Sequence, residues 1–209
     1  HTHCRIGPSY IYRYTPVKGT FEEGVEREAK RFNEWFEKFH VSYAACSNIP
    51  PMVDRVWKVR HGYNEGTYEL MKRCPRILGQ YVPNVFEGED AVKEKIEEAV
   101  KKLGFRGIKL HPWVSAFPAG HKIVEPVYEA AAKLKVSILY HCSHPPFATP
   151  LQIADIARRY PEVPVILGHA GKQQTYLDII PAMKLSENIY IEISGARIQP
   201  LIERIVHDL

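Results

Sequence analysis

The sequence predicts an α/β fold, a parallel sheet curling into a TIM-type (β/α)8 barrel that is incomplete at both ends. Three observations carry this expectation. From Arg76 onward, apolar runs of strand length alternate with helical stripes, the pattern of consecutive βαβ units. Ser137–His141 and Val165–His169 each read as a buried strand ending in histidine, and the chain opens His1-Thr2-His3. Finally, the 209 residues hold only seven recognisable strands, against the eight strands and roughly 250 residues of a closed barrel.

The elements follow in order. A first strand ends at His3, its body lying before His1, and residues 5–19 form a loop rich in Gly, Pro and Tyr. Thr20-Phe21-Glu22-Glu23 fits a capping box, with Thr20 as N-cap and Glu23 reaching back. Val25, Ala29, Phe32, Phe36 and Phe39 then recur at helical spacing. Val41–Cys46 reads as a strand, Met52–Lys72 as mostly helical, and Arg76–Val82 as a strand. Val92, Ile96, Ala99, Val100 and Leu103 form another helical stripe, stopped by Gly104. Beyond it, strands at Phe105–His111, Val136–His141, Pro164–His169 and Ile189–Ser194 alternate with helices at Ile123–Leu134, Pro150–Tyr160 and Tyr176–Leu185. Pro200 starts one more helix, and an eighth strand would lie beyond Leu209, so the chain reads as a fragment of a larger product. No linker or low-complexity tract divides it, and residues 1–209 are expected to form a single domain.

Composition narrows the function. A 45% hydrophobic fraction with 25% charged residues is ordinary for a soluble globular protein. The net charge of +4 is spread over helix faces where Lys, Arg and Glu interleave, which argues against a nucleic-acid partner. No apolar run reaches the length of about 18 residues that a membrane span needs. Cys4, Cys46, Cys74 and Cys142 are scattered without a Cys-x-x-Cys pair, which fits a reducing cytoplasm. Cys4 and Cys142 each follow a candidate ligand and, on a strand, face the opposite way as packing residues. The expected partner is a small-molecule substrate, with a homodimer as the commonest assembly.

The histidines carry the chemistry. Residues two apart on a strand share a side, so His1 and His3 can aim both imidazoles at one centre. Parallel strands bring His141 and His169 to that same end of the sheet, where barrel enzymes place their sites. Neutral imidazole is the commonest protein ligand for zinc and similar ions, and the pattern points to a mononuclear metal site. Taken alone, His141 reads equally well as a hydrogen-bonded core histidine. An affinity-tag origin for His1 and His3 is disfavoured, because Cys4-Arg5-Ile6-Gly7 is no tag linker. His169 stands between Gly168 and Ala170-Gly171, small residues that let the backbone approach another group closely.

The order His-x-His, Gly-Ile-Lys-Leu-His-Pro, a strand ending in His, Leu-Gly-His-Ala-Gly and Ile-Tyr-Ile-Glu-Ile-Ser-Gly resembles the amidohydrolase superfamily over His1 to about Gly195. It is most similar to the amidohydrolase-2 branch, which holds metal-dependent hydrolases and the aminocarboxymuconate-semialdehyde and resorcylate decarboxylases. The resemblance implies that His1, His3 and His141 bind one divalent metal ion, zinc being the first candidate. It implies that His169 is the catalytic residue that orients or deprotonates the metal's water. An aspartate after strand eight completes such sites, and no residue of this sequence fills that place. The expected activity is hydrolysis, metal-activated water attacking an ester, lactone or amide carbon of a small carboxylate-bearing or cyclic substrate. The alternatives are a non-oxidative, metal-dependent decarboxylase of an unsaturated or aromatic carboxylic acid, and a non-catalytic metal-binding fragment. A TatD-like nuclease also opens His-x-His but places a glutamate near the end of strand four, where this chain has Lys109.

Lys109 and His111 should share one face of strand four. In other amidohydrolases a carboxylated lysine on this strand bridges two metals. For Lys109 an ion pair with Glu192 is the favoured reading, because a buried lysine usually needs a partner. Arg5, His111, Trp113 and His144 are the expected substrate-binding residues, Arg5 gripping an anion, with Phe117 and Phe147 beside them. Loop aromatics also simply cover barrel mouths, and that reading stands level with the first.

Overall fold

The computed structural model describes residues 2–4, 6, 19–48 and 63–195, together with 199, 202, 203 and 207. Within them, β1 (Thr2–His3), β2 (Ala44–Ser47), β3 (Ile77–Tyr81), β4 (Gly107–Leu110), β5 (Ser137–His141), β6 (Val165–Gly168) and β7 (Ile189–Glu192) form one sheet. The strands lie in sequence order and every neighbouring pair is parallel. The sheet curls into a half-barrel with helices around it, the architecture of an incomplete TIM barrel. Parallel neighbours need crossovers of a dozen or more residues, and the predicted helices supply them.

α1 (Phe21–Lys38) starts at the predicted capping box: Glu23 N–H donates to Thr20 Oγ1 at 3.2 Å and Thr20 N–H to Glu23 Oε2 at 2.7 Å. Val25, Ala29, Phe32 and Phe36 line its buried stripe and meet Cys46, Leu70, Cys74 and Ile77 in a core under β2 and β3. α2 (Tyr63–Arg73) lies inside the stretch expected to be helical, whose residues 52–62 are outside the described ones. α3 (Glu89–Lys101) ends before Gly104, whose φ of +77° takes the left-handed turn into β4.

The structure adds α4 (Pro112–Ser115), a single turn where the sequence reading had a loop. His111 stays outside the helical region, as a residue before proline prefers, and Pro112 occupies the first turn, where a missing N–H costs nothing. α5 (Glu125–Leu134) and α6 (Pro150–Ala157) follow, the latter opened by a second capping box between Thr149 and Gln152. α7 (Lys172–Thr175) is one turn after β6. The helix expected over Tyr176–Leu185 divides into a 3-10 turn, Tyr176–Asp178, and α8 (Ile179–Leu185). Of the helix expected from Pro200, residues 199, 202, 203 and 207 are helical and the others lie outside the described residues.

Ile108 and Leu110 on β4, Ile138 and Tyr140 on β5, and Val165 and Leu167 on β6 point outward into the main core with α3, α5, α6 and α8. Alternation therefore turns Lys109, His111, Leu139 and His141 inward. Register sets their heights: His141 pairs with Gly168, and Gly168 with Glu192, so the ends of β5, β6 and β7 are level. Cys4 and Cys142 are fully buried packing residues, as expected. No helix among the described residues is long and apolar enough to cross a membrane.

Candidate metal-binding active site

The strand ends deliver a set of stacked rings. His111, just past β4, lies face to face with His141 at the end of β5, ring centroids 3.9 Å apart and planes 12° apart. His141 continues to His144 (5.0 Å, 25°), and Trp113 on α4 stacks on the outer side of His144 (4.8 Å, 16°). Trp113 also leans toward His111 at 6.5 Å, so two buried imidazoles sit beneath a more exposed indole–imidazole pair. His169 meets the edge of His141 at 4.8 Å. Three of the predicted site residues, His111, His144 and His169, thus converge on His141.

His3 joins the cluster electrostatically, its ring sensing Lys109 and His169 although β1 and β6 are far apart in the sheet order; the curl brings them to one interior. Its Nδ1 lies 3.1 Å from the Ser47 carbonyl oxygen. His169 Nδ1 lies 2.6 Å from the Ser194 carbonyl oxygen. A carbonyl only accepts, so in both rings Nδ1 carries the proton and Nε2 the lone pair. Burial, assisted for His3 by Lys109, lowers the pKa of His3 to about 3; burial lowers that of His169 to about 4. Burial, then the neighbouring His111 and Lys109, also pushes His141 far down. All three are neutral at neutral pH, the form that binds cations.

The loop after β5 holds a tight polar triangle. His141 Nε2 is 3.0 Å from His144 Nδ1 and 3.1 Å from Ser143 Oγ, and Ser143 Oγ is 2.6 Å from His144 Nδ1. His144 has φ of +65°, the left-handed region that a residue with a Cβ enters only at a cost. The turn after β6 is bent further: φ is +71° at His169, +47° at Ala170, +71° at Gly171 and +49° at Lys172. Four successive left-handed residues throw the chain sharply off β6, and Glu192 braces the corner. Its carboxylate accepts from the His169 N–H at 3.2 Å, the Ser194 N–H at 2.7 Å and the Ser194 hydroxyl at 2.9 Å. Burial opposes the charge, yet the bonds from Ser194 keep the Glu192 carboxyl below its usual range.

These contacts correct the expected Lys109–Glu192 ion pair. Lys109 is fully buried and its Nζ has no hydrogen-bond partner, while Glu192 is engaged by Ser194 and the His169 backbone. Glu192 is near enough to favour a charged amine, but burial outweighs it and brings Lys109 down to about 7. Phe117, expected to line the pocket, is buried instead, its ring edge-on to Phe86 at 6.5 Å. His1 and Arg5 lie outside the described residues. Among the described residues no group of three or more His, Cys, Asp or Glu side chains is arranged to hold a cation.

Three contributors escaped the sequence reading. Ser143 closes the polar triangle, Ser194 fixes the tautomer of His169, and Lys172 lends positive potential to His111, His141, His144 and His169. The signal for Lys172 was present in Leu-Gly-His-Ala-Gly-Lys, a lysine just past a glycine turn at a strand end.

The sequence profile of the amidohydrolase family matches residues 23–206. No curated protein matches the chain. Among solved structures, 4-oxalomesaconate hydratase from Rhodopseudomonas palustris is similar at 18% identity and a TM-score of 0.61, covering 94% of this chain and 68% of its own. A 2,6-dihydroxybenzoate decarboxylase from Rhizobium is similar at 16% identity and 0.61, covering 91% and 78%. A manganese-bound 5-carboxyvanillate decarboxylase from Novosphingobium aromaticivorans is similar at 14% identity and 0.61, covering 83% and 65%.

Proposed function

The chain belongs to the amidohydrolase family, and from that premise we propose that it is a metal-dependent hydrolase in which His1, His3 and His141 hold one divalent cation, with zinc first among the candidates, and His169 moves the proton. The observation that carries this reading is the paired tautomer: His3 and His169 each give Nδ1–H to a backbone carbonyl and keep the lone pair on Nε2. Ligating histidines are characteristically oriented by such a second bond, which fixes the ring and raises its basicity. A donor set of neutral imidazoles suits zinc, whereas manganese, the ion bound in one similar structure, favours oxygen donors.

A bound divalent cation supplies Lewis-acid polarisation of a carbonyl and lowers the pKa of water from near 16 to about 7. The chain's own residues do the rest. His169 Nε2 accepts a proton and returns it to the leaving group, and its contact with the Ser194 carbonyl stabilises the charge it gains. Glu192 holds the corner that aims His169. Trp113, 43% exposed, offers an indole face above the cluster.

That exposed indole, stacked on His144, favours one second reading: decarboxylation of a planar, unsaturated or aromatic carboxylic acid. Elemental analysis of the purified chain, with product analysis on lactones, esters and planar carboxylic acids, tests both. About one zinc or manganese ion per chain, diminished by His141→Ala, together with hydrolysis, supports the proposal. Released CO2 moves the assignment to the second reading, and a chain that takes up no metal overturns both.

A further inference from the structure

We propose that His144 is itself a metal ligand, its Nδ1 joining His141 Nε2 so that the loop after β5 holds the cation with two imidazoles rather than one. This rests on the metal-site reading above and deepens it.

The polar triangle is the first reason. His141 Nε2, His144 Nδ1 and Ser143 Oγ face one another at 3.0, 3.1 and 2.6 Å. Each atom carries at most one proton in the neutral state, and a ring N–H lies fixed in the plane of its ring. A proton on one corner can point along a single edge, so the three contacts cannot all be well-aligned hydrogen bonds at once. A cation faced by the three atoms would be met by their lone pairs together.

Ring geometry is the second. The nitrogens are 3.0 Å apart while the ring centroids are 5.0 Å apart, so the two imidazoles spread outward from their facing nitrogens. Two nitrogens on one zinc, each at about 2.0–2.1 Å, lie about 3.4 Å apart at the tetrahedral angle, within a few tenths of the separation already present. The third reason is how His144 is held. Its left-handed backbone, φ +65°, turns the ring toward His141, and the Trp113 indole at 4.8 Å backs it from the other side. Backbone cost of this kind concentrates where a side chain must be aimed.

Cobalt(II) titration of the chelator-treated chain tests the assignment, because visible absorption reports the donors around the ion. The native chain, His144→Ala, His144→Cys, Ser143→Ala and His141→Ala are compared, each checked for folding by circular dichroism. We expect His144→Ala to weaken cobalt binding at least tenfold and to alter the d–d bands, with added imidazole restoring them. His144→Cys should introduce a near-ultraviolet thiolate-to-cobalt charge-transfer band, a signature that a merely supporting residue cannot produce. An unchanged d–d spectrum in His144→Ala, with no charge-transfer band in His144→Cys, overturns the inference while leaving His141 as a ligand. Failure of the native chain to bind cobalt overturns the metal-site reading as well.

Discussion

His111 and His141 lie in face-to-face contact, 3.9 Å between ring centroids, although they close two different strands. Two such rings attract while both are neutral and repel once both are charged. Burial, then the neighbouring Lys109 and His3, holds His111 well below its ordinary value, and its Nδ1 makes no hydrogen bond. The contact the structure gives its ring here is packing against His141. His111→Phe should keep the unfolding free energy within about 1.5 kcal/mol of the native chain, whereas His111→Ala should lose roughly 2–4 kcal/mol through the cavity left under His141. Urea denaturation separates the two; equal losses would show that polarity, not ring contact, matters at position 111.

His169→Asn removes the proton carrier but keeps a side chain of similar polarity at the corner. The expected result is a fall in kcat of about 10²–10⁴-fold with metal content unchanged. A parallel loss of metal would instead assign His169 to the ligand set.

Lys109 gives the pH dependence a definite sign. Its amine titrates near 7 when folded and near 10.5 when unfolded, chiefly because of burial. Between those values the unfolded chain binds the extra proton, so stability rises with pH across the window. Below about pH 7 both states are protonated and the full cost of the buried charge is present. Lys109→Met should accordingly stabilise the metal-free chain by roughly 1–4 kcal/mol at pH 6, with a smaller gain at pH 9. Thermal unfolding at the two pH values measures this, and a loss of stability at pH 6 would show that the charged amine has a partner after all.

Away from the site, Asn188 ties the end of α6 and the turn after it to the start of β7. Its amide donates toward the carbonyls of Ala157 (3.2 Å), Tyr160 (2.9 Å) and Val163 (2.7 Å). Asn188→Ala leaves these partly buried acceptors short of a donor and should cost about 1–3 kcal/mol. Metal binding should be untouched, which calorimetry on the folded variant can check.

Much of this architecture was legible because strand and helix periods differ. Lys109 and His111 share a face for the reason that Ile108 and Leu110 share the other, and β5 runs to His141 as the apolar run predicted. His169 also stood out by its flanking small residues, and at Gly171 a Cβ would meet Thr175 and Tyr176 at close range. The arrangement of Ser143 against His141 was not legible, since it depends on the loop conformation at His144 rather than on any period. The Lys109–Glu192 pairing failed because alternation gives a face but no distance, and Ser194 competes for the same carboxylate. Trp113, expected in a loop, landed on a helical turn because Pro112, just past the end of β4, favours the first position of a helix.

The indole of Trp113 gives the protein an optical reporter of its own. Resting on His144, it changes surroundings whenever that imidazole shifts. Trp35, exposed on α1 with its ring against Phe36 and Phe39, lies away from the site and contributes background emission, as does Trp57. Occupancy of the pocket can therefore be followed in real time by stopped-flow emission, with no label attached and Trp113→Phe as the control that lacks the response.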